Sequence, residues 1–345
     1  MFGRMMNNYY YGKSGKGDFR KEDLPQNRWQ LFTDTLKSRL SALCRLNLLY
    51  MLIFLPAIIV TISFYTQFLT ATSNLLTIQQ NDYASYVETV KANNGEVKIT
   101  EEEFNKIKNE GVNYSDLTES ILFRWLLWMI PCIAITGPFT AGLSYVTRNW
   151  ARDEHAFIWT DFKDAVKENW RQSLVLSVIT SIMPMAAYLG WKYYGQLAET
   201  NMIMLVPQVL VVLVALVWSI SVTYMHPLAV TYELKLKDVI RNGLLLGIAR
   251  LPMSVGIRLL HCVPVLLCGM LSYLWNPWYG MLGLLAWYVL IGFSLSRFVT
   301  ASYTNAVFDR FINPRIEGAK INQGIQKSED DDDEEDDAGE GDASD

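Results

Sequence analysis

Arg258 and His261 stand one helical turn apart inside the apolar segment Val255–Leu274, and Gln208 interrupts the equally apolar segment Ile203–Tyr224. A basic pair at that spacing points into one crevice, and a charge among residues suited to hydrocarbon marks a site for an anion or a polar solute. These three residues form the candidate polar site. A second reading stays open: Arg258 lies only about 10 Å along a helix from Leu251 and reaches water by snorkelling. Arg124 and Arg297 also fall in apolar segments, close to their ends, where the same escape serves them.

Residues for bond-making chemistry are not arranged to do it. The three histidines, His155, His226 and His261, complete no metal set, and the sequence holds no HExxH, no phosphate-binding GxxxxGK[ST] loop and no GxSxG elbow. The apolar segments contain no carboxylate of the kind that relays protons or holds sodium. The expectation is a protein with no catalytic residues, cofactor or metal, not an enzyme, and with no nucleic-acid partner. Cys44, Cys132, Cys262 and Cys268 have no CxxC spacing and read as small buried hydrophobes.

The elements that position the polar site follow from hydropathy. Of the 345 residues 51 % are hydrophobic and 19 % charged, below the share of charge usual in a soluble domain. A membrane-crossing helix needs about 20 mostly apolar residues, because lipid satisfies no backbone group. Six windows meet that demand: Leu46–Leu69, Leu122–Tyr145, Leu174–Gly190, Ile203–Tyr224, Val255–Leu274 and Met281–Phe298. The predicted fold is all-α, a polytopic membrane helix bundle of about six spans in the lipid bilayer. Prolines 131, 138, 184, 207 and 264 are expected to break those spans. Tryptophans and tyrosines cluster at span ends, as at Trp191, Tyr193, Tyr194, Tyr273, Trp275 and Trp278, where amphipathic rings meet headgroups.

Lysine and arginine set the orientation. Nine precede the first span, five lie in Arg148–Arg171 and four in Lys235–Arg250, against one between the third and fourth spans. Basic connections stay inside, so both chain ends are placed in the cytoplasm. Three basic, amphipathic segments on that side, around Phe32–Leu43, Asp161–Trp170 and Leu234–Ala249, read either as helices on the membrane surface or as helices docked on the bundle. The organisation is a leader with an amphipathic helix at 1–45, a six-span domain at 46–315 with an external segment at 72–120, and an acidic tail at 316–345. That tail holds 12 of the 35 acids after Ser328, is read as disordered, and turns the basic body into a chain of net charge −5. The external segment offers a short helix at Glu101–Glu110 and little else apolar. Arg45–Pro56 and Arg241–Pro252 share the pattern Arg-x-x-Leu-Leu, five residues, Leu-Pro, an internal echo where a surface helix turns into a span.

The stretch GPFTAGLSYVTRNWARDEHAFIWTDFKDAVKENWRQ, Gly137–Gln172, resembles the central signature of the YesL-like family of bacterial membrane proteins, the domain of unknown function 624. Gly137, Pro138, Arg148, Glu154, Asp161, Phe162 and Asn169 carry the likeness. Leu55-Pro56 and the stretch ending at Pro252 extend it to roughly residues 20–315. The resemblance implies a bacterial plasma-membrane protein that assists carbohydrate uptake, with sugar-importer subunits as partners at the cytoplasmic helices. It assigns no catalytic or binding residue. A self-contained transporter or channel for a polar or anionic solute, and a regulatory protein recruiting partners through its acidic tail, are the alternatives.

Overall fold

The computed structural model describes residues 25–325 except 94, 98 and 111–113; the polar leader to residue 24 and the acidic tail from Glu329 lie outside the described residues. Within them run α1 (Arg28–Gln80), α2 (Tyr83–Ala92), α3 (Glu101–Glu110), α4 (Tyr114–Trp150), α5 (Thr160–Ala198), α6 (Leu205–Thr231), α7 (Leu236–Ala249), α8 (Leu251–Leu274), α9 (Pro277–Trp287) and α10 (Phe293–Phe311). A π-helical stretch, Tyr288–Gly292, joins α9 to α10. Six helical runs are long and apolar enough to cross a membrane: α1, α4, α5, α6, α8, and α9 with α10. The architecture is the expected all-α polytopic bundle.

Arg28 at the start of α1 pairs with Asp309 near the end of α10 at 2.6 Å, so both ends of the described chain lie on one face, the terminal face. Core packing is concentrated in that half. One cluster joins Leu43, Leu46 and Tyr50 of α1 to Leu143, Val146 and Trp150 of α4, Phe162 of α5 and Phe298 of α10. A second joins Leu176, Trp218, Tyr224, Met225, Leu228, Val239 and Phe308. In the far half the helices turn apolar side chains outward, as at Val206, Val209, Leu210 and Leu213 of α6. Water would not tolerate so continuous an apolar surface; hydrocarbon requires it.

Two of the three amphipathic segments are not separate helices. The chain from Arg28 to Gln80 has no glycine and one internal proline, so nothing stops the helix at the start of the first span, and α1 crosses position 46 unbroken for 53 residues, about 80 Å. Phe32, Leu36 and Leu43 face the protein's own core, while Leu40 is exposed. Asp161–Trp170 likewise continues into the third span as α5. Only the third segment stands alone, as α7, because the backbone breaks at Arg250 and Pro252 opens α8. The internal echo therefore does not repeat in structure: Pro56 lies inside a continuous helix and Pro252 in a first turn.

The expected proline breaks are corrected too. Helices α4, α5 and α8 run unbroken through Pro131, Pro138, Pro184 and Pro264, and Pro207 sits in the first turn of α6, where no helical donor is lost. The four cysteines are free thiols, none of them buried, since Cys262 is exposed on the apolar flank of α8 and the others are half-buried.

The connection between the first two spans also holds more than expected. Asp82 caps α2 and Thr100 forms a reciprocal capping box with Glu103 at α3. Ile78, Tyr86 and Phe104 then close a small core of their own, ringed by Val87, Val90 and Ile107.

Helices α4 and α5 cross closely. A Cβ on Gly137 would stand 2.3 Å from the Ser173 carbonyl oxygen and 2.7 Å from Ser177 Oγ. Small residues at such points let helix backbones touch. Gly137→Val is expected to cost roughly 1–3 kcal/mol by forcing the pair apart; unchanged unfolding in denaturant would contradict this packing.

Candidate functional site

Asn47 is fully buried on α1 and spends its whole side chain on the π-helical stretch. Its Nδ2 donates to the carbonyls of Tyr288 and Val289, both at 2.8 Å, and its Oδ1 accepts from the amides of Phe293 and Ser294 at 2.9 and 3.1 Å. A π turn leaves main-chain groups off the regular ladder, which lipid cannot satisfy, so an amide that both donates and accepts is the side chain that fits. The inserted residue also rotates everything after it by about 100° relative to an unbroken α-helix. That rotation sets where Arg297 points.

Arg297 does not sit at a span end. Helix α10 runs on to Phe311, roughly 20 Å further, and Arg297 is half-buried among its neighbours. There Arg258 and Arg297 act electrostatically on both His226 and His261, and Arg297 acts on Arg258. Tyr50 of α1 stands within the same reach of Arg297. Basic side chains from α6, α8 and α10 thus lie within electrostatic reach of one another, His226 buried at 3 % exposure and Arg258, His261 and Arg297 half-buried.

Three of these groups hold a buried nitrogen without a partner. His226 Nδ1, Arg258 Nε and His261 Nε2 are buried with no hydrogen bond, as is Arg250 Nε at the start of α8. No ion pair joins any of them to a carboxylate among the described residues. On the terminal-face side of Arg258 and Arg297, the Tyr224 hydroxyl bridges Ser254 at 2.6 Å and Tyr303 at 2.8 Å. The arrangement can bind an anion: guanidinium forks suit a carboxylate or phosphate, and the imidazoles add donors.

Two of the three predicted site residues, Arg258 and His261, come together, and Gln208 does not join them. It lies on α6 eighteen residues before His226, about 27 Å along the axis. Its Nε2 donates to the Trp191 carbonyl at 3.2 Å beside Gly195, fastening the α5–α6 hairpin. His226 was missed because it lies two residues past its hydropathy window, and Arg297 was read as a span-end residue. The available signal was three basic side chains in two apolar segments that contain no acid, with His226 just beyond a third.

The signature residues build the scaffold instead. Gly137 makes the α4–α5 crossing, Pro138 follows it inside α4, and Phe162 is buried in the first core cluster. Arg148 donates to the Val230 carbonyl at 3.1 Å and pairs with Glu154 at 3.7 Å, and Glu154 pairs with Arg152 at 3.5 Å. Asp161 accepts from the Phe157 amide at 2.8 Å, and Asn169 donates to the Ala165 carbonyl at 3.1 Å. Asp153 supports the tight turn between the helices with a φ of 56°. Among the described residues no group of three His, Cys, Asp or Glu is placed to hold a metal.

The terminal face is tied by Asp309, which bonds Arg28 and Asn313, and by Tyr232, whose hydroxyl donates to Asn313 Oδ1 at 2.6 Å. Burial, then the Asp309 charge, pushes the Tyr232 phenol up to about 12. Because the folded state holds this proton more tightly than the unfolded chain, the stabilisation is full below pH 10 and is lost as pH rises toward 12. Tyrosinate absorbance is expected to show one late-ionising phenol that Tyr232→Phe removes; ionisation of Tyr232 near pH 10 would disprove it.

Fold and site together define a polytopic helix bundle of membrane type with a cationic interior. Residues 121–191 match the family described as protein of unknown function, DUF624, which bears out the likeness carried by Gly137–Gln172. The chain is also similar to the uncharacterized protein YesV of Bacillus subtilis (strain 168), at 27 % identity over 141 residues. That alignment covers 40 % of this chain and 66 % of the relative's length. No solved structure matches the chain.

Proposed function

We propose that the chain is a non-enzymatic, multi-pass protein of the bacterial plasma membrane that holds an anion inside its bundle and serves solute uptake. The observation that carries this reading is the convergence of His226, Arg258, His261 and Arg297 with no carboxylate paired to them among the described residues. An unpaired cation inside a bilayer costs several kcal/mol, and a bound carboxylate or phosphate removes that cost. The terminal face is assigned to the cytoplasm on its excess of lysine and arginine. Anion binding raises the unfolding midpoint as ligand concentration passes the dissociation constant. Protein in neutral-lipid nanodiscs should therefore gain thermal stability with inorganic phosphate, glycerol phosphate or acetate at constant ionic strength; a midpoint indifferent to all three counts against the reading.

A second role, assistance to a carbohydrate importer, rests on the family resemblance and on the terminal face. Two grooves of about 670 and 720 Å³ flank the segment Thr231–Leu234, one bordered by Glu168–Gln172 and the other by α7, Arg250 and Arg315. An importer subunit docked there would also cover the exposed Leu245 and Ile248 of α7. Site-specific crosslinking from Leu245 in native membranes tests it, and recovery of the chain with no importer subunit would remove this role.

A further inference from the structure

An apolar groove of about 490 Å³ opens between α1, α8 and α9, lined by Phe54, Ala57, Ile58, Val265, Leu284 and Leu285 among others. Its volume is that of a ligand pocket, and nearly all its walls are hydrocarbon or aromatic. Its position relative to the cationic site is what gives it meaning. On α1, Phe54 of the groove lies one turn from Tyr50; on α8, Val265 lies one turn from His261; on α10, Phe293 lies one turn from Arg297. Residues four apart share a helix face, about 5.4 Å along the axis. Three helices therefore carry groove and cationic site on the same face, in the same order. Tyr50, Phe54 and Phe293 pack together at the junction, with ring centroids 4.6–6.2 Å apart.

We propose that the anion held at this site is the headgroup of an anionic phospholipid whose acyl chain fills the groove. This rests on the anion-binding reading above and names the ligand's class. A soluble anion would satisfy the guanidiniums and leave the groove without a role. A zwitterionic lipid would fill the groove and bring its own cation to Arg258 and Arg297. A phosphodiester on an acyl chain matches both halves: one negative charge for the unpaired Arg258, Arg297 and imidazoles, and an apolar chain for the walls beyond them.

Gly269 separates the two halves experimentally. It lines the groove, and a Cβ placed there meets nothing within 4 Å, so Gly269→Phe can occupy the groove without forcing the backbone. The full chain, purified in detergent and exchanged into phosphatidylcholine, is titrated with phosphatidylglycerol and, separately, with glycerol phosphate, reading lipid retention by native mass spectrometry and the unfolding midpoint. Phosphatidylglycerol is expected to be retained at least about tenfold over phosphatidylcholine. Gly269→Phe, and independently Val265→Trp, should abolish that preference while the response to glycerol phosphate persists. Arg258→Gln should lose both responses. A glycerol phosphate response with no preference for phosphatidylglycerol, or a preference that both groove variants retain, overturns the lipid assignment and leaves the anion site standing. No response to either ligand overturns both.

Discussion

Replacing Asn47 with leucine is expected to lower stability by roughly 2–4 kcal/mol, the largest loss from any single polar residue in the bundle. The estimate follows from its partners. Leucine removes four hydrogen bonds at once, those to the carbonyls of Tyr288 and Val289 and from the amides of Phe293 and Ser294, in a fully buried place. Interhelical hydrogen bonds in membranes average about 0.6 kcal/mol each, and losing a partner in a buried place costs more. Aspartate is no remedy, because an ionised carboxylate accepts from the two amides but cannot donate to the two carbonyls. The expected functional effect is separate and diagnostic. Once Asn47 no longer holds it, the π turn relaxes to α-helix and Arg297 swings away from Arg258 by about 100°. Asn47→Leu protein that remains folded should therefore also lose anion binding. Leu48→Ala, one position away on the exposed flank, should do neither. Unfolding in graded denaturant, alongside the phosphate-dependent midpoint, checks both; a variant as stable as the parent would show that the π stretch needs no partner.

Arg258→Gln and Arg297→Gln should separate function from stability in the opposite sense. Each guanidinium is expected to contribute about 1.5–3 kcal/mol to an anion through charged hydrogen bonds, so each change should weaken binding about 10- to 100-fold. Without ligand, the same changes remove a cation that has no paired carboxylate among the described residues and sits in a low-dielectric interior. The ligand-free protein should become more stable, not less. A merely structural arginine would behave the other way, with stability falling and no effect specific to the anion. Isothermal binding measurements paired with unfolding curves distinguish the two outcomes.

The same contrast explains why the signature segment and the candidate site are different parts of the molecule. Arg148 has a carbonyl and Glu154 as partners, and Asp161 and Asn169 are bonded to local main chain. Arg148 also keeps a buried, unbonded Nε, but it has an acidic partner. Changing these residues should cost stability first, whereas Arg258, His261 and His226 combine buried, unbonded nitrogens with no carboxylate paired to them among the described residues.

How much was legible in the sequence follows from what each feature depends on. The six spans, the all-α class and the helix at Glu101–Glu110 are local: a run of apolar side chains, or Thr100 and Glu103 three apart, determines them without reference to distant residues. Arg258 and His261 were legible as a pair because one helix fixes their spacing. Tertiary structure decided the rest. Whether an amphipathic segment is its own helix depends on a break, and only Arg250 supplied one. Gln208 and Arg258 look alike in a hydropathy plot, yet α6 carries one of them about 27 Å from the other's neighbour His226. Arg297 looked like a span-end arginine until the π stretch, held by a residue some 240 positions earlier in the chain, turned it inward. Sequence determines that basic groups enter an apolar bundle; the way four helices are rotated about their axes decides which of them meet, because facing is a property of the packed bundle and not of any one segment.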